Sequence, residues 1–271
     1  MTGTRRLSMN SPFAWPGGKK HLKKRLLQMM PAHEAYVEVF SGSAKLLFAK
    51  EPSPWEILND INSDVVNFFR VARHRAAELA ERFEHEVIAS QRFKALRSAA
   101  DGASEIDQAL RFIYLAWWSF GGKGEHFASL RISELRKAKH PVKRSLRLVR
   151  DLIHRTADRL VDVLIENRDF LECIDRYDST DTLFYCDPPY TSFSKIARYG
   201  EMAEARHRDL VSRLRKIRGK FILSYDDSPL VRSLTDGLEI QEARVPYTIA
   251  AGEAKIGREL IISNFRLKSV A

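Results

Sequence analysis

Thr182-Leu-Phe-Tyr-Cys186-Asp187-Pro-Pro-Tyr190 is the stretch from which the architecture can be read. Its first five residues form a short apolar run rich in β-formers, which predicts a buried strand over 182–186. Asp187, Pro188 and Pro189 then end it, because proline donates no N–H to a ladder and fixes φ near about −65°. An acid, two prolines and an aromatic therefore make a rigid polar ledge at a strand's carboxyl end. Open α/β sheets bind their ligands at that end.

The alternation of strand and helix extends outward from there. Upstream, leucines at helical spacing predict a helix over 20–30, stopped by Pro31. Residues 35–40 read as a strand running into Ser41-Gly42-Ser43 and a helical stretch over 44–50, and residues 55–58 as a strand ending at Asn59-Asp60. A helix is expected over 63–73. Downstream, 161–165, 220–225, 238–245 and 259–265 read as strands, with helices over 203–217 and 228–235. Seven strands with helices between most of them predict a layered α/β sheet. Between about 71 and 160 the period becomes helical, as in Ile106, Leu110 and Ile113, broken by Phe120-Gly-Gly-Lys-Gly124. The expected organisation is an α/β domain formed by 1–70 and 161–271, carrying a mainly helical insertion over 71–160.

The chain has 271 residues, enough for a full core without disulfides or metals. Cys173 and Cys186 show no metal-ligand spacing and no disulfide framework, and no metal site is expected. No apolar run approaches the length of a membrane span and no secretory signal opens the chain, so a soluble, cytoplasmic protein is expected. The formal net charge is +10. It is concentrated: Arg131–Arg150 holds eight basic residues against Glu134 alone. Such a stretch favours phosphate contact, and Lys123, Arg131, Lys137, Lys139, Lys143 and Arg144 are the candidate DNA-binding residues.

The ledge suits one chemistry in particular. The lone pair of an aromatic amine such as adenine N6 is delocalised into its ring. Acceptors that hold the two amine hydrogens make the nitrogen more nucleophilic. The Asp187 carboxylate and the Pro188 carbonyl can serve as those acceptors, and Tyr190 can stack on a base taken out of the duplex. Elsewhere, Ser41-Gly42-Ser43 lets the backbone approach a ligand, and Asp60 follows Gly42 at roughly the offset at which an acid meets ribose hydroxyls. Trp15-Pro-Gly-Gly-Lys19 is no phosphate loop, since Phe13 stands where the first glycine belongs and Lys20 follows Lys19.

Trp15-Pro-Gly-Gly-Lys19, Glu38-Val-Phe-Ser-Gly42-Ser, Asn59-Asp-Ile-Asn62 and Asp187-Pro-Pro-Tyr190 together resemble, in order and approximate spacing, the Dam-like D12 class of DNA adenine N6-methyltransferases. The resemblance runs from about Pro12 to Phe265. It implies a seven-stranded, Rossmann-like methyltransferase sheet whose helical insertion recognises the target. It further implies S-adenosylmethionine as cofactor, bound by Trp15, Lys19, Phe40, Gly42, Asp60 and Asp187, and a catalytic set of Asp187, Pro188, Pro189 and Tyr190. Glu259-Leu-Ile-Ile-Ser-Asn264 resembles the family's closing strand, with a structural role expected. Pro16 and Val39 depart from the family's usual Ala and Pro. Residues 119–127 match the hairpin of GATC-specific members only loosely, so the recognition sequence stays open.

The partner implied is double-stranded DNA, with no membrane and no obligatory protein partner evident. The enzyme could act alone or beside a restriction endonuclease. Two alternatives stand next to this reading: a methyltransferase acting on RNA, and a non-catalytic DNA-binding remnant that would bind DNA without binding cofactor.

Overall fold

In the computed structural model, residues 9–15, 17, 19, 21–99, 104–128, 145–190, 202–248 and 254–268 are described. Seven strands form one sheet: β1 (Ala35–Glu38), β2 (Trp55–Asn59), β3 (Val163–Glu166), β4 (Thr182–Cys186), β5 (Lys220–Asp226), β6 (Glu239–Thr248) and β7 (Ala254–Ser263). Their order is β3-β2-β1-β4-β5-β7-β6. β1 runs parallel to β2 and β4, β4 parallel to β5, and β7 lies antiparallel between β5 and β6. Each strand expected from sequence is present, and β4 keeps the bounds 182–186. All five of its side chains are buried, as a central parallel strand covered on both faces requires.

By contact, the chain separates into two units. The first comprises Met1–Met9, Lys19–Ile61 and Glu166–Ala271, the second Asn10–Gly18 and Asn62–Ile165. In the first, side chains alternate between sheet faces. Val37, Phe184, Cys186, Phe221, Leu223, Leu260 and Ile262 meet Phe170, Cys173 and Ile174 of one helix, Leu210, Val211 and Leu214 of a second, and Val231 of a third. Alternation sends Tyr36, Glu38, Tyr185, Ser224 and Glu259 to the opposite face, where polar groups are concentrated.

Among the described residues nine α-helices occur: α1 (Lys23–Met29), α2 (Ser63–His74), α3 (Ala76–Glu84), α4 (Ser90–Arg97), α5 (Glu105–Trp117), α6 (Leu146–Arg159), α7 (Phe170–Tyr177), α8 (Glu204–Leu214) and α9 (Pro229–Leu234). No sequence expectation covered α7, whose N-cap Asp169 accepts the Leu171 N–H. The helix expected over 44–50 is instead a run of turns. Ala44 has φ +51°, and the Leu47 N–H, which a regular helix would give to the Ser43 carbonyl, goes to Glu38 Oε1 at 2.8 Å. A buried acid on β1 thus competes successfully with the local helical pattern.

The second unit is mainly helical: it holds α2 to α6, and it also includes Val163–Ile165 of β3. Asn62 caps α2 by accepting the Asp64 and Val65 N–H groups. Phe13, Phe68, Phe69 and Phe112 form an aromatic cluster with centroids 5.1–5.8 Å apart, and Trp118 is buried at 1% exposure. Trp117 Nε1 donates to the Pro12 carbonyl at 2.8 Å. Gly122, at φ +74°, lies so close to Ala14 that a Cβ would meet the Ala14 carbonyl oxygen at 2.2 Å. Residues 12–14 are thereby held against this helical unit. No described helix is long and apolar enough to cross a membrane.

Candidate active site

Parallel pairing brings the carboxyl ends of β1, β2 and β4 level, since Glu38 stands in register with both Leu58 and Tyr185. The chain just beyond each strand end is therefore neighbouring chain. After β1, Gly42 adopts φ +47°, a left-handed conformation that suits glycine. Its N–H donates to Asp60 Oδ2 at 2.7 Å, and the Ser41 N–H donates to the Asn59 carbonyl at 2.9 Å. Asn59, 1% exposed, donates to the Val39 and Arg168 carbonyls and accepts the Arg168 N–H, which fixes the end of β2. Gly42 and Asp60, picked out from sequence by spacing, are thus bonded to each other. Phe40 is half-buried, its ring 5.5 Å from that of Phe170.

Beyond β4, Pro188 is buried, and Asp187, Pro189 and Tyr190 are half-buried. Lys19 Nζ lies 2.7 Å from Asp187 Oδ1, with side-chain exposures of 4% and 19%. The same ammonium is 4.5 Å from the centroid of the Tyr190 ring and 3.8 Å from Glu259 Oε2. The Tyr190 hydroxyl donates to that Glu259 oxygen at 2.9 Å. Burial pushes the Asp187 carboxyl up to about 6; Lys19 opposes the shift and Glu259 adds to it. At neutral pH the group is ionised and acceptor-only, though close to the pH at which it would take up a proton.

Trp15 belongs to the helical unit, where its ring lies 5.9 Å from Phe13 and 6.1 Å from Phe112. Lys19 belongs to the sheet unit, so the Trp15-to-Lys19 motif crosses the boundary between them. Lys123 is exposed in the segment closed by the antiparallel Ser119–Phe127 bridge. Arg131, Lys137, Lys139, Lys143 and Arg144 lie outside the described residues. No cluster of metal-ligating side chains occurs among the described residues.

Two residues gained importance only from the structure. Glu259, read as part of a closing strand, lies on β7 and also stands beside Lys19 and Tyr190. Glu38, 2% exposed, accepts the Tyr36 hydroxyl and the Leu47 N–H at 2.8 Å each, and burial pushes its carboxyl up to about 7. The available signal was an acid inside an otherwise apolar strand.

Comparison with known proteins identifies the family. The chain is 25% identical over 279 residues to the type II methyltransferase M1.LlaDCHI of Lactococcus lactis subsp. cremoris, covering 94% of this chain and 95% of that protein. It is 26% identical over 273 residues to the Retron Ec67 DNA adenine methylase of Escherichia coli, covering 93% and 90%. It is also 26% identical over 190 residues to the DNA adenine methylase of Salmonella typhimurium, covering 68% and 66%. Residues 15–249, from the Trp15 motif through the Asp187 ledge to the end of β6, match one family, and the chain belongs to the D12 class N6 adenine-specific DNA methyltransferases.

Proposed function

We propose that the protein methylates N6 of an adenine drawn out of double-stranded DNA, using S-adenosylmethionine, at the carboxyl end of β4. The observation that carries this reading is the Asp187 carboxylate, paired with Lys19 at 2.7 Å on a ledge locked by two prolines. S-adenosylmethionine supplies an electrophilic methyl group when bound. The residues suit it: the Gly42 amide holds the Asp60 carboxylate, an acceptor of the kind that meets ribose hydroxyls, at the end of β2, and residues 41–43 permit close backbone approach. Phe40 and Lys19 are the further candidates for this pocket.

Asp187 and the Pro188 carbonyl accept the two N6 hydrogens, and the Tyr190 ring supports the base. As the new N–C bond would form, the bond from that methyl to sulfur would break, its electron pair staying on a neutral thioether, and the nitrogen must lose one proton. A carboxylate near pKa 6 can take it and return it to water at neutral pH. Much of the rate comes from positioning, because displacement at a methyl carbon demands alignment more than a strong base. Lys123, Arg131, Lys137, Lys139, Lys143 and Arg144, in the insertion over 71–160 that we assign to target recognition, contact phosphates. The cytoplasm is the compartment that fits a DNA substrate and two free, buried cysteines.

The test is transfer of labelled methyl from S-adenosylmethionine to unmethylated genomic DNA, followed by nucleoside analysis. Label in N6-methyladenine that disappears in Asp187→Ala is the expected result. Cofactor binding with no transfer to DNA would move the substrate to RNA, and undiminished activity of Asp187→Ala would overturn the site.

A further inference from the structure

Glu259 is buried on β7 at 3% exposure and reaches two of the side chains grouped around Asp187. It accepts the Tyr190 hydroxyl at 2.9 Å and lies 3.8 Å from Lys19 Nζ, which pairs with Asp187 at 2.7 Å. One ammonium therefore serves two acids. Placing a carboxylate in this environment is costly unless partners compensate it. Ile261, on the same face of β7, shows that the strand accommodates apolar residues there.

We infer that Glu259 is a positioning residue for methyl transfer: it holds the Tyr190 ring by its hydroxyl and tethers Lys19, and so sets the spacing between the stacking ring and the Asp187 acceptor. The inference rests on the reading of Asp187 and Tyr190 given above. A ring fixed at both its backbone and its hydroxyl has little freedom left, so the base meets a platform already in place. The charge of Glu259 also acts on Asp187, a carboxyl faced by Lys19, Lys45, Glu38, Tyr185 and Tyr225 as well.

The experiment assays Glu259→Gln, Glu259→Ala, Tyr190→Phe and the Tyr190→Phe/Glu259→Ala double variant of the full chain. Labelled methyl transfer to unmethylated genomic DNA is followed from about pH 5 to about pH 9, spanning the expected acid limb, and S-adenosylmethionine affinity is measured by calorimetry. Glu259→Ala is expected to lower kcat by roughly tenfold to a hundredfold, the range for loss of a positioning contact, with cofactor affinity within a few fold. Glu259→Gln keeps an acceptor for Tyr190 and recovers part of the rate. Having lost the charge, it moves the acid limb to lower pH. The double variant should be no slower than Glu259→Ala.

A wild-type acid limb in Glu259→Gln, or additive losses in the double variant, overturns the inference. Should Glu259→Ala not fold, the limb of Glu259→Gln decides alone. Asp187→Ala in the same assay separates the two readings. Retained activity there sinks the site itself, whereas inactivity of Asp187→Ala beside wild-type behaviour of every Glu259 variant sinks only the positioning role.

Discussion

Asp187 sits between a cation that favours its ionised form and surroundings that oppose it. Burial is the larger influence and leaves the carboxyl at about 6. In the proposed reaction the ionised form accepts the amine hydrogens, so activity should fall as pH drops through about 6. Lys19→Met removes the opposing cation, and Asp187 then titrates higher. The acid limb of kcat/KM is expected to move to higher pH, opposite to its movement in Glu259→Gln, and a pH–rate profile of the two variants side by side checks both directions. Lys19 and Asp187 were both legible in sequence because each belongs to a short motif. Glu259 was not: a lone acid in a strand has no spacing signal, and its partners Lys19 and Tyr190 are far from it along the chain.

At the scale of elements, Glu38 shows how one side chain redirects a segment. Residues 44–50 carry helical periodicity, yet the Leu47 N–H goes to Glu38 and Ala44 turns left-handed. Local pattern cannot register a hydrogen bond to an earlier strand. The same acid links the element to pH. Its carboxyl is raised from 4.5 to about 7, so the stabilisation that neutral Glu38 provides is complete below about pH 4.5 and is lost as pH rises to about 7. The loss is on the order of 3 kcal/mol. Glu38→Gln keeps an acceptor oxygen and cannot ionise, so its Tm should decline less than that of the wild type between pH 5 and pH 8, a difference thermal unfolding at the two pH values would reveal. Elsewhere strands were legible because apolar runs are bounded by turn residues. α7 was missed, being two turns long with its cap in Asn167-Arg-Asp169.

For the molecule as a whole, composition foretold a polyanion partner, and membership in a DNA methyltransferase family agrees with that. Phosphate binding releases counterions, so DNA affinity should fall steeply between 50 and 200 mM salt. Replacing Lys137, Lys139 and Lys143 together by Ala should lower the slope of log K against log salt by about 3, roughly 1 for each phosphate contact. Fluorescence anisotropy with duplexes of different sequence tests this, and a loss confined to one sequence would reassign these residues to base reading. Strand order was the least legible feature, because pairing joins segments distant in sequence: β1 has β4 beside it, with all of Asn62–Ile165 between them. That arrangement has a consequence for synthesis. On the ribosome β1 and β2 emerge long before β4 exists, and most of the helical unit is made while they wait with open edges. β7 is the last of the seven strands to be made and brings Glu259, so the group of Lys19, Asp187, Tyr190 and Glu259 can assemble only after β1, β2, β4 and β5 have already emerged.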